Sequence, residues 1–224
     1  MNAPKVILLD IEGTTTEISF VHRVLFPYAA KHLTAFLTLH EHEPHVETCL
    51  QDPVLQAAAP MRTLSAYIDV LQRWITEDRK VTVLKTLQGW IWAEGYAKGD
   101  FTSHVYEDVL PALKAWKAKG IVLGIYSSGS VEAQKQLFQH TAYGDLTPFF
   151  SWHFDTKIGG KREAASYLRI ADAVGASPSE ILFFSDIEAE LDAACTGGVS
   201  VMQVVREGTA PSDRHQKVLS LFSL

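Results

Sequence analysis

The chain has 224 residues, 47% of them hydrophobic, which suits one large domain or a core with a smaller inserted one. Its formal net charge of −6 argues against a nucleic-acid or anionic-membrane surface, since either needs a basic patch. No apolar run approaches the roughly 18 residues of a membrane span, and MNAPKVILLD lacks the three-part pattern of a secretory signal, so a cytoplasmic protein is expected.

The first element is the run Val6–Leu9. It is too short for a helix and apolar on both faces, as in a parallel strand covered on both sides. It runs directly into Asp10, Glu12, Gly13 and three threonines. Residues 19–100 then change character: VHRVLFPYAAKHLTAFLTLH, TLSAYIDVLQRWITEDRK and VTVLKTLQGWIWAEGYAKG are amphipathic helical stretches with no strand signal. Far too much chain separates Leu9 from Ile121 for one crossover helix, so this segment is read as an inserted helical domain, with residues 1–18 and 101–224 forming the core. His40, His42 and His45 form no metal pattern and read as a surface loop; Trp90 and Trp92 read as core.

Beyond the insert, VYEDVLPALKAWKAKG has helical spacing and stops at Gly120. Strand signatures recur in IVLGIYSSGS (121–130), ILFFSDIE (181–188) and VSVMQVV (199–205), with a weaker one in SWHFDT (151–156). Helical patterns separate them: SVEAQKQLFQH opening on Ser130 as an N-cap, KREAASYLRIADAVG stopping at Gly175, and EAELDAACTGG. Alternating strands and helices predict an α/β fold with a doubly wound parallel sheet. Cys49 and Cys195 lack CxxC or histidine spacing and are expected to be reduced, partly buried thiols.

Open parallel sheets bind ligands beyond the carboxyl ends of their strands. After the strands come Asp10 and Glu12; Ser127, Ser128 and Gly129 leading into a helix; and Ser185, Asp186, Glu188 and Glu190. Lys161, in KIGGKRE, lies at a helix start. Asp10 and Asp186 make a hard oxygen site suited to Mg²⁺, which takes few carboxylates, several waters and substrate phosphate. A serine with free N–H groups at a helix start is an anion cradle, a lysine offers a point charge for phosphate, and a carboxylate can be a nucleophile. Glu188 and Glu190 read first as solvated acids favoured by the helix dipole, with help to the metal site as the alternative for either. IGGKR is not a P-loop, because Asp155 and Arg162 stand where that loop needs Gly and Ser or Thr.

The set DIEGTTT, YSSGS, GGK and SDIEAEL resembles the four motifs of the haloacid dehalogenase-like hydrolases. The longer stretches DIEGTTTEISFVHRVLFPYA, LQGWIWAEGY, HVYEDVLPALKAW, YSSGSVEAQKQLF, FDTKIGGK and FFSDIEAELDAA resemble the enolase-phosphatases of methionine salvage, in core and insert alike. The resemblance implies a haloacid dehalogenase-like core with a helical cap. It also implies Mg²⁺ as cofactor and a small phosphorylated diketone, 2,3-diketo-5-methylthiopentyl-1-phosphate, as substrate, enolised and hydrolysed to an acireductone. Asp10 is then the nucleophile and a metal ligand, Glu12 a metal-site residue through its backbone carbonyl, and Asp186 the other metal ligand. Ser127 and Ser128 hold phosphate or substrate, and Lys161 stabilises the phosphoryl group. Where the superfamily has a second Asp this chain has Glu12, which fits the narrower family and puts the usual acid–base role of that position in doubt. Another small-molecule phosphatase of the superfamily is the alternative. A non-catalytic binding module would have lost the nucleophile or a metal acid, and this chain has neither loss. Dehalogenation does not need the acidic cluster, and phosphonate hydrolysis would want a Schiff-base lysine the insert does not clearly offer. A monomer is expected.

Overall fold

The computed structural model describes residues 3–223. The chain forms two compact units, Met1–Ile18 with Thr102–Leu224, and Ser19–Phe101.

The first unit begins with β1 (Val6–Leu9), buried at all four positions. In chain order, the second unit is inserted between β1 and the remaining strands. After the turn α1 (Ile18–Phe20) and a π-helical turn at Val21–Leu25, it contains α2 (Phe26–His40), α3 (Pro44–Leu50), α4 (Pro53–Ala58), α5 (Leu64–Thr76) and α6 (Thr82–Lys98). Leu33, Leu37, Leu55, Leu71, Trp74, Leu84 and Leu87 are all at or near zero exposure and form its core. Thr63 caps α5 by accepting from the Ala66 amide, and Gly99 ends α6 in the left-handed conformation at φ 74°.

The histidine segment differs from the surface loop expected. His40 is the last residue of α2 and His45 lies in α3, with His42 in the turn between. The short α3 and α4 start on prolines, Pro44 and Pro53. The carboxylate of Asp52 caps α4, accepting from Val54 N at 2.9 Å. Proline at the first helical position and an acidic N-cap are start signals without enough length behind them to show a period.

The first unit continues with α7 (Val109–Ala118), β2 (Val122–Tyr126), α8 (Val131–Gln139), β3 (Trp152–Phe154), α9 (Ala164–Val174), β4 (Ile181–Ser185), α10 (Glu188–Thr196), β5 (Ser200–Val204) and β6 (Lys217–Val218). The sheet order is β3-β2-β1-β4-β5-β6, and every pair is parallel. Alternation of side chains explains the two layers. Ile7 and Leu9 pack with Val109, Leu113 and Trp116 of α7 and Phe138 of α8. Val6 and Leu8 pack on the opposite face with Tyr167 and Ile170 of α9 and Leu191 and Ala194 of α10. The fold is therefore the doubly wound α/β sheet with an inserted helical unit. Both cysteines are free, and Cys195 is exposed rather than partly buried. No helix among the described residues is long and apolar enough to cross a membrane.

Candidate active site

The strand order reverses between β1 and β4, which is where open α/β sheets bind ligands. Asp10 leaves β1 at that point. Its amide still donates to Phe184 O at 3.0 Å, so the sheet ladder aims the carboxylate, which is 4% exposed. The following turn is tied tightly. Ile11 O accepts from the amides of Thr14, Thr15 and Thr16, and Thr15 Oγ1 donates to Asp10 O at 3.0 Å. Gly13 sits at φ 72°, and a Cβ there would collide with the Asp186 carboxylate. Only glycine gives both that backbone conformation and that close approach.

Lys161 precedes α9 and reaches Asp10 Oδ1 and Glu190 Oε2, each at 2.6 Å. Burial alone would push its ammonium down, but Asp10 and Glu190 outweigh burial and hold it above the usual lysine value. Its nitrogen lies about 6 Å from the Tyr126 and Phe183 rings. The phenol of Tyr167, fully buried, donates toward Lys161 O at 2.7 Å and Glu190 O at 3.1 Å, joining the two segments. Ser185 Oγ lies 2.9 Å from Glu190 Oε2 and 3.2 Å from Asp10 Oδ2. A hydroxyl has one proton; the shorter contact takes it, leaving Asp10 Oδ2 available.

Glu190 is thus no solvated acid, contrary to expectation. It is 9% exposed and paired with Lys161. Burial and the Asp10 charge push its carboxyl up against the pull of Lys161. A signal existed, since Glu190 shares the buried stripe of α10 with Ala193 and Ala194. Glu188 does face out, tied to Arg214 at 3.0 Å, which together with Ser212 holds it at about 2.

Asp186 turns its Oδ1 into the protein without a hydrogen-bond partner. Burial and the neighbouring Asp10 push its carboxyl up to about 7. Asp10, Asp186 and Glu190 against one lysine leave two surplus negative charges when all are ionised, and the orphaned oxygen has nothing to bind. A divalent cation fits both facts. Among the described residues no three His, Cys, Asp or Glu side chains form a metal set by themselves. A cation would therefore draw on two carboxylates, a backbone carbonyl and oxygens from substrate and water, the habit of Mg²⁺.

Ser127 and Ser128 lie at the same sheet edge, just past β2, which pairs with β1 in the register Leu9↔Ile125. Ser127 is buried, and its Oγ accepts from Gly129 N at 3.2 Å. Ser128 is exposed. Ser130 caps α8 through the Ala133 amide, so a helix start directly follows this serine segment. Glu12 is half-buried, within the turn after Asp10.

A family model described as haloacid dehalogenase-like hydrolase matches residues 4–197. Enolase-phosphatase E1 of Enterobacter sp. (strain 638) is 50% identical over 96% of this chain and 93% of its own. Enolase-phosphatase E1 of Methylococcus capsulatus is 51% identical over 94% and 93%. The crystal structure of the UTR4 protein from Saccharomyces cerevisiae superposes with a TM-score of 0.83 at 33% identity, covering 99% of this chain and all of that one. The chain belongs to the haloacid dehalogenase-like hydrolases and, within them, to the enolase-phosphatase family.

Proposed function

We propose that the protein is a bifunctional enolase-phosphatase of methionine salvage. It converts 2,3-diketo-5-methylthiopentyl-1-phosphate to the acireductone 1,2-dihydroxy-3-keto-5-methylthiopentene and phosphate. The observation that carries the chemistry is the Asp10 carboxylate, held by the ladder and by Lys161 beside the orphaned oxygen of Asp186.

Asp10 attacks phosphorus, the bond from phosphorus to the substrate oxygen breaks, and an aspartyl phosphate forms. Water then attacks that phosphorus, releasing phosphate and restoring the carboxylate. Lys161 has three ammonium protons; Asp10 and Glu190 take two, and the third serves a phosphoryl oxygen. Ser127, Ser128 and the start of α8 receive the remaining phosphoryl oxygens. Asp10, Asp186 and the Glu12 carbonyl would hold Mg²⁺, which when bound neutralises charge between acids and phosphate and polarises substrate oxygens. In the enolisation a proton leaves the carbon bearing the phosphate ester and one is delivered to the neighbouring carbonyl oxygen. Glu12 and Ser128 are the candidate groups for that transfer, a contribution of about 10²–10⁴-fold when positioned. The inserted unit is the cap that excludes bulk water and selects the substrate.

The test is a reaction on the diketone phosphate in D₂O, following deuterium exchange, enol absorbance and phosphate together. Enol phosphate should appear before free phosphate, or no later. Release of phosphate first, with the free diketone enolising in bulk solvent, would make this a plain phosphatase.

A further inference from the structure

Arg206 follows β5 and carries a charge that the proposed chemistry does not use. Its side chain is 9% exposed. Both Nε and Nη2 donate to the carbonyl of Thr14, at 3.2 and 2.9 Å, and Nη2 also reaches Asp108 Oδ1 at 3.0 Å. The guanidinium stacks 4.1 Å above the Tyr106 ring. The frame around it is itself anchored. Asp108 Oδ2 accepts from Leu221 N at 2.7 Å, and Tyr106 N donates to Thr15 O at 3.0 Å. Thr16 Oγ1 donates to His104 O at 2.7 Å.

Thr14 is fully buried and belongs to the turn that begins at Asp10. Two donors from one rigid fork fix both the position and the tilt of a carbonyl, which a single donor does not. Tilting the Thr14 carbonyl rotates the Thr14–Thr15 peptide plane, whose Thr15 N–H donates to Ile11 O at 2.9 Å and so reaches the Ile11–Glu12 peptide. On the other side of the turn, Gly13 is pressed against the Asp186 carboxylate. The turn is therefore held between Asp186 and Arg206.

We infer that Arg206 is a positioning residue for the turn of residues 10–16, setting the backbone of residues 11–13, of which Gly13 abuts Asp186, and so tuning the affinity of the divalent-cation site. This rests on the reading of Asp10, Glu12 and Asp186 as that site. It goes beyond it by assigning its support to a residue just past the fifth strand, outside the motifs that follow β1, β2 and β4. Asp108 and Tyr106 act through Arg206, the first by aligning the fork and the second by covering its face.

The experiment compares wild type with Arg206→Met, which keeps the bulk and loses the donors, and Arg206→Lys, which keeps the charge and loses the fork. Amide hydrogen exchange is measured on metal-free protein at Gly13, Thr14, Thr15 and Thr16, whose amides all bond within the turn. Exchange there should rise about tenfold or more in Arg206→Met, and less in Arg206→Lys, while amides of β1 and β4 keep their rates. The Mg²⁺ concentration for half-maximal phosphate release should rise about 10- to 100-fold, as for other supports behind metal ligands, with kcat largely recovered at saturating Mg²⁺. Should Arg206→Met fail to fold, Arg206→Lys carries both readouts. Turn amides that exchange at wild-type rates, or that speed up only in step with the strands, would overturn the inference. Asp186→Ala is the parallel control. If it leaves the Mg²⁺ requirement unchanged, the metal reading of the site fails, while the exchange rates still decide whether Arg206 sets the turn.

Discussion

In the proposed chemistry a carboxylate that attacks phosphorus must be aimed and left with a free lone pair. Asp10 meets these needs through separate neighbours: the Phe184 carbonyl fixes its backbone, Lys161 binds Oδ1, and Ser185 spends its proton on Glu190 rather than on Oδ2. The same crowding makes the site electrostatically costly, since three acids share one lysine. Asp10→Asn removes a negative charge from that cluster without changing side-chain size. Turnover should therefore fall by more than about 10³-fold, while the thermal midpoint stays level or rises, because repulsion of Asp186 and Glu190 is relieved. Phosphate release and a circular dichroism melt check both parts. A folded Asp10→Asn protein with substantial turnover would remove Asp10 from the nucleophile role. Asp10 could be singled out in the sequence because it directly follows the apolar run of β1, Asp186 because it comes one residue after that of β4, and Lys161 because it closes a glycine pair. Glu190 carried only the weak signal of its place on the buried stripe of α10, and Arg206 carried none. Their burial is decided by Lys161, Ser185, Thr14 and Asp108, which are distant in sequence or belong to other elements.

At the scale of elements, β1 and β4 were legible because four apolar residues run without a helical period, and β2 and β5 because short apolar stretches are broken only by Gly124 and Gln203. The two-residue β6 has no pattern to read; it exists because β5 offers it an edge. The helices α3 and α4 escaped for a related reason, being seven and six residues long, about two turns each. The end of α2 carries one consequence of that compact segment. His40 Nδ1 lies 2.6 Å from Glu43 Oε1, and Nε2 lies 2.9 Å from Glu94 Oε1 as an ion-pair contact rather than an aligned hydrogen bond. The Glu43 hydrogen bond chiefly raises the His40 pKa above its ordinary 6.5, burial opposing and Glu94 assisting. A histidine raised on folding adds stability that is fully present below its unfolded pKa and disappears as pH rises through the folded one. The stability difference between wild type and His40→Gln should therefore favour wild type at about pH 6 and shrink toward zero at about pH 9. Urea titrations at the two pH values measure it, and a difference independent of pH would mean the histidine acts through packing alone.

At the scale of the molecule, two cores are built from differently ordered chain. The sheet unit draws on both ends of the sequence, so β1 finds β2 and β4 only after the whole insert has been synthesised. The helical unit is one continuous segment, Ser19–Phe101, with its own buried centre at Leu33, Leu37, Leu71, Trp74 and Leu87. Its ends are closed by its own side chains: Trp92 Nε1 donates to Leu25 O at 2.8 Å, and Tyr28 OH donates to Asp100 at 2.6 Å. Chains of this size bury enough surface to fold alone, and local helical contacts favour rapid folding. The isolated segment of residues 19–101 should therefore be helical by circular dichroism, melt cooperatively and show the blue-shifted fluorescence of a buried Trp74. Leu71→Ala in that segment should lower its stability by about 2–5 kcal/mol, the usual range for emptying a fully buried leucine site. A non-cooperative melt, or a Leu71→Ala segment indistinguishable from the parent, would mean that this core forms only when the sheet unit is present, and that the chain folds as one cooperative body despite its two hydrophobic centres.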